Sequence, residues 1–131
     1  MNIKALVAYG LIAGLTGCAS NSVPLTENET IVHIKAQSGD EMIARRLDTK
    51  AANNLKYFTF TGAEHTMELG IVKTGYQDSH RRCIATISYA HFVHGTDYTL
   101  TETSAVGGGV AVSLIDGDGK VLVREANIPC L

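Results

Sequence analysis

Residues Val110–Val123 read VAVSLIDGDGKVLV. Two apolar runs flank Asp116-Gly117-Asp118-Gly119, and Asp-Gly accepts the positive φ that a tight hairpin demands. The stretch predicts strand, turn, strand, and the same grammar extends backwards along the chain. Gly107-Gly108-Gly109 in "SAVGGG" breaks the pattern, and before it "DYTLTET" aligns Tyr98 with Leu100. "FVHGT" turns the chain. In "RRCIATISYA", Cys83, Ala85, Ile87 and Tyr89 fall on one face at period two, which directs the cysteine to the core. A polar loop, "KTGYQDSH", separates this strand from "HTMELGIV", where Met67, Leu69 and Ile71 share a face. "GAEH" supplies a turn after "KYFTFT", which is rich in aromatic and β-branched residues.

Nearer the N-terminus, Val32, Ile34 and Ala36 alternate with His33 and Lys35 in "TIVHIKA", a first strand. Residues 37–54, "QSGDEMIARRLDTKAANN", fit either a short helix around Glu41–Leu47 or a short strand with turns. No long amphipathic helix competes, and there is no internal repeat. The expected class is all-β: an antiparallel β-sandwich of about seven strands over residues 30–131.

The chain has 131 residues, a net charge of −2 and 6% aromatic residues. That balance argues against nucleic-acid binding, which calls for a basic face. Met1–Lys4 carries one cationic side chain and is followed by the uncharged "ALVAYGLIAGLTG". A transmembrane helix needs about twenty apolar residues, so this run is too short to span, but it has the length of a signal-peptide core. Leu15-Thr16-Gly17-Cys18, "LTGC", resembles a bacterial lipobox. The resemblance implies a diacylglycerol on the Cys18 sulfur, cleavage before that cysteine and acylation of the new amine. Residues 1–17 would be a lipoprotein signal peptide, and 18–29, "CASNSVPLTENE", a polar tether. The alternative is an uncleaved N-terminal helix with a chance cysteine. Several acyl chains make attachment to the membrane effectively permanent. By resemblance to the lipoprotein sorting rule, in which an Asp in place of Ala19 would signal retention at the inner membrane, the outer membrane is expected, with the domain in the periplasm.

Export to an oxidising compartment leaves Cys83 and Cys130 as the remaining thiols, and two cysteines allow one pairing within the chain. A Cys83–Cys130 disulfide is the expectation, with free or intermolecular thiols as the alternative.

Candidate chemistry is sparse. His91 and His94 form H-x-x-H, with His33, His65 and His80 elsewhere. Zinc needs three or four converging ligands, and on a strand-to-turn segment an i, i+3 pair points to opposite faces. No metal or other cofactor is expected, although a metal or small-ligand carrier using His91 and His94 is the alternative function. His65 reads as structural, its ring fixing the turn by a hydrogen bond to the backbone. Asp116 and Asp118 faintly suggest a calcium loop, yet position twelve counted from Asp116 is Asn127, not the bidentate Glu such a loop requires. The triple glycine lacks the Lys-Ser/Thr of a phosphate loop, and no G-x-S-x-G elbow occurs. Arg45-Arg46 and Arg81-Arg82 could meet anionic headgroups, but two pairs fall short of a lipid-binding cluster and read as solvated surface.

The order "GAEHTMEL", "RRCIATISYAHFVHGTDYTLTE", "VSLIDGDGKVLV" and a final "PC" resembles small proteobacterial outer-membrane lipoproteins with a prealbumin-like or PEGA-like β-sandwich domain. The resemblance implies an immunoglobulin- or prealbumin-like sandwich with a cysteine bridge to the C-terminal end, and no activity. The residues around Gly39-Asp40 depart from the PEGA-like pattern. The expected function is a non-enzymatic binding or scaffold module, anchored to the membrane through its N-terminal lipid and working with an envelope protein partner. Exposed strand edges or the Gly-rich loop are the expected contacts.

Overall fold

The structure, a computed structural model, describes residues 28–75, 77 and 79–131. The expected signal peptide, Cys18 and the tether as far as residue 27 lie outside the described residues. Among the described residues nine strands follow one another: β1 Thr30–Lys35, β2 Glu41–Leu47, β3 Lys50–Ala51, β4 Tyr57–Phe60, β5 His65–Thr74, β6 His80–Tyr89, β7 Asp97–Ser104, β8 Val110–Ile115 and β9 Val121–Glu125. They form a five-stranded sheet, β4-β1-β7-β8-β9, and a four-stranded sheet, β3-β2-β5-β6.

The alternation read from the sequence sets the core. Met67, Leu69 and Ile71 of β5 and Cys83, Ala85 and Ile87 of β6 are buried on the inner face of the smaller sheet. Facing them are Val32, Phe58, Phe60, Leu100, Val112 and Leu114 of the larger one. Each such aliphatic or aromatic side chain stabilises the fold by about 1.5–3 kcal/mol on full burial. Phe92 closes one end. Its ring lies 4.8–4.9 Å, edge-on, from Phe60, Tyr89 and Tyr98, and its N–H donates to Ala63 O at 3.0 Å. The β6–β7 turn is therefore pegged to the core by an aromatic side chain.

Two features differ from the expectation. The undecided segment contributes two strands, β2 and β3, which raises the expected seven to nine. The sandwich is also not antiparallel throughout, because β1 and β7 run parallel from Ile31↔Asp97 to Lys35↔Thr101. A parallel pair needs a long crossover, and here the whole of β2–β6 lies between its members.

After β9 the chain crosses back to the smaller sheet. Cys83 and Cys130 are bonded. The last residues add to the edge of β6, with Arg82 and Leu131 exchanging N–H···O bonds and Ile84 N–H donating to Pro129 O. The disulfide thus holds a strand-like tail over an otherwise open edge, a common place for unwanted pairing.

Candidate binding groove

On the outer face of the smaller sheet the pleat alternation leaves an apolar row, Ile43–Gly70–Ile84, running across β2, β5 and β6. The next row is Glu41–Val72–Arg82. A side chain is missing at the centre of the first row, and the result is a groove of about 390 Å³ between Ile43, Ile84, Val72 and Leu131. Glycine allows a close approach there: a Cβ at Gly70 would sit 2.9 Å from Cδ and 3.3 Å from Cγ of Arg45, whose stem crosses the strand at that point and would have to shift.

Arg45 reaches this position through a β-bulge. The register steps from Ala44↔Leu69 to Arg46↔Glu68, so Arg45 is the extra residue and both arginines face outward. Glu68 holds them, with Oε2 3.2 Å from Arg45 Nη1 and 3.9 Å from Arg46 Nε. The second arginine pair is split, as successive strand residues point to opposite faces. Arg81 Nη2 donates to Gly108 O at 2.8 Å, tying β6 to the Gly-rich turn. Arg82 lines the groove, and its guanidinium has no ion-pair partner among the described residues. Ile43 is 40% exposed, high for a large apolar side chain.

A buried polar cluster joins the two sheets at the end where β1 passes to β2. Glu102 shares the inward face of β7 with Tyr98 and Leu100 and is 2% exposed. Its Oε1 accepts the Gln37 N–H at 2.9 Å, and its Oε2 faces no donor among the described residues. Burial pushes this carboxyl up to about 7, helped by its hydrogen bond to Asp40 and the charge there, against the Gln37 N–H and Lys73. Asp40, its side chain 3% exposed, accepts Thr74 N–H at 2.9 Å and lies 3.2 Å from Lys73 Nζ. Burial opposes its charge, but the bonds from Glu102, Thr74 and Lys73 outweigh burial and hold it below the usual carboxylate range. The two carboxyls are thus pushed in opposite directions, Glu102 toward the neutral form and Asp40 toward the charged one.

His65 behaves as read from the sequence, with more added. Its Nε2 lies 2.6 Å from Thr61 O, fixing the turn after β4, and its Nδ1 lies 2.6 Å from Asp48 Oδ2. The ring is thereby held at both nitrogens, between the Thr61 carbonyl and the Asp48 carboxyl. Asp48 Oδ1 also accepts Thr66 N–H at 2.8 Å. Burial opposes the Asp48 charge, yet Thr66 and His65 outweigh it and lower this carboxyl.

His91 lines a cleft of about 540 Å³ with Asp97, Asp116 and Asp118, and His94 is not among its lining residues. Among the described residues no group of three His, Cys, Asp or Glu side chains converges on a metal position. Asp116 Oδ1 instead accepts the N–H groups of Asp118 and Lys120, which closes the β8–β9 hairpin. Gly107 and Gly108, at φ 78° and 80°, turn the chain between β7 and β8, so the triple glycine is a turn, with its backbone presented to Arg81. Glu102, Asp40 and Gly70 were not singled out in the sequence. Strand parity with Tyr98 and Leu100 marks Glu102, and a lone glycine inside a strand marks Gly70.

Compared with known proteins, the chain matches no family model, no curated protein and no solved structure.

Proposed function

We propose that the chain is an outer-membrane lipoprotein whose periplasmic β-sandwich is a non-enzymatic binding module. The observation that carries this reading is the bonded Cys83–Cys130 pair, because disulfides persist in oxidising compartments, and the "LTGC" motif at Cys18 offers the route to one. Cys83 is taken up by the disulfide, and the His65 ring is held between Asp48 and Thr61. What the surface offers is a groove with an apolar floor and few polar groups, the form of a small-ligand site. A lipid anchor confines that groove near one leaflet and raises its effective concentration toward envelope partners.

Growth with an alkyne-bearing palmitate tests the anchor. The full chain should take up the label and sediment with outer membranes, and Cys18→Ala should lose both. An unlabelled wild-type chain in the soluble fraction would overturn the reading.

A further inference from the structure

The groove over Gly70 has a chemistry narrow enough to name its ligand. Its body is apolar: Ile43, Val72 and Ile84 stand around Gly70, and the aliphatic stem of Arg45 packs over the glycine as one wall. The floor strand β5 lies between β2 and β6, so its backbone is engaged in the two ladders. The β6 edge beside it is occupied by Pro129 and Leu131. A peptide bound in extended form relies on main-chain hydrogen bonds, and this floor provides none. An alkyl chain requires none. At the rim, Arg82 is a guanidinium with no acidic partner among the described residues, whereas Arg45 is held by Glu68. Glu41, in the same cross-strand row as Arg82, disfavours a second negative charge. The volume, about 390 Å³, lies at the small end of ligand cavities.

We propose that this groove binds a free fatty acid, its alkyl chain laid beside the Arg45 stem against Ile43, Val72 and Ile84 and its carboxylate on Arg82. The inference rests on the binding-module reading but not on acylation of Cys18. It also gives Gly70 a purpose, since a Cβ there would push on the Arg45 stem that walls the groove.

The test uses the full chain in isolated membranes and a diazirine-bearing dodecanoate as photo-cross-linking probe, with the labelled peptides mapped by mass spectrometry. Label should concentrate on the peptides carrying Ile43, Val72 and Ile84. Unlabelled dodecanoate should compete, and dodecyltrimethylammonium should compete at least tenfold less well. Arg82→Gln should remove that preference for the anion. Gly70→Leu should cut labelling at least tenfold, and Ile43→Ser, at a side chain already exposed, should cut it severalfold without touching the core. Label spread evenly over the surface, or equal competition by the cationic amphiphile, would overturn the proposal, as would labelling unchanged in Ile43→Ser. Cys18→Ala separates the two readings. Released from membranes yet still labelled in the groove, it leaves this inference standing; an anchored wild type with an unlabelled groove sinks it alone.

Discussion

Glu102 and Asp40 meet as a carboxyl–carboxylate pair at the end of the sandwich where the chain passes from one sheet to the other. Glu102 belongs to β7 of the larger sheet. Asp40 is fastened to Lys73 and Thr74 of β5 in the smaller one. The two carboxyls therefore couple the layers, and burial together with the Asp40 charge pushes Glu102 up to about 7. The sign follows from the raised carboxyl of Glu102. The folded state holds a proton that the unfolded chain has released, so the contribution is complete below the ordinary carboxylate range and is lost as pH rises toward about 7.

Stability should accordingly fall between about pH 5 and pH 7 by at most about 1.4 kcal/mol per pH unit from this site. Glu102→Gln keeps an acceptor for Gln37 N–H and a donor for Asp40 without the titration. Its urea midpoint should match wild type near pH 5 and exceed it at pH 8. A variant that tracks wild type at both pH values would contradict a raised Glu102 carboxyl.

A second prediction concerns the β2–β3 turn, where Asp48 and Thr49 stand at φ 51° and 73°. Two positive φ values in a two-residue hairpin suit Asn-Gly or Asp-Gly, and a β-branched residue there is strained by about 1–3 kcal/mol. Asp48 is retained by its bonds to Thr66 and His65, whereas Thr49 has no comparable bond among the described residues. Thr49→Gly should raise stability by about 1 kcal/mol after the extra backbone entropy of glycine is counted. An unchanged or lower urea midpoint would contradict this.

The disulfide closes a separation of 47 residues. In the chain-entropy model that is worth about 4 kcal/mol. Cys83→Ala with Cys130→Ala should lose most of that in denaturant unfolding, and the amides of Arg82 and Ile84 should lose hydrogen-exchange protection as the tail leaves the β6 edge. Full protection of those two amides in the double variant would show that the tail holds without the bond.

What was legible in the sequence follows from where the period of two is clean. From Tyr57 onward, Met67-x-Leu69-x-Ile71 and Cys83-x-Ala85-x-Ile87 state both strand and inward face, and Asp116-Gly117-Asp118-Gly119 states the hairpin. Residues 41–47 did not, because the bulge at Arg45 spaces the inward side chains Met42, Ala44 and Leu47 by two and then three, which mimics a helix. The parallel pairing of β1 with β7 depends on residues more than sixty positions apart, and no local pattern encodes it. The groove escaped for a related reason. It is made by a residue without a side chain, and the arginine stem above it comes from another strand.

Mass spectrometry of the chain extracted from cell envelopes without reductant tests the lipid-anchored, disulfide-closed domain most directly. The expected product begins at Cys18, carries acyl and diacylglycerol mass on that residue, and has Cys83 and Cys130 in one bonded peptide pair. A chain beginning at Met1 with an unmodified thiol at Cys18 and free thiols at Cys83 and Cys130 would contradict it.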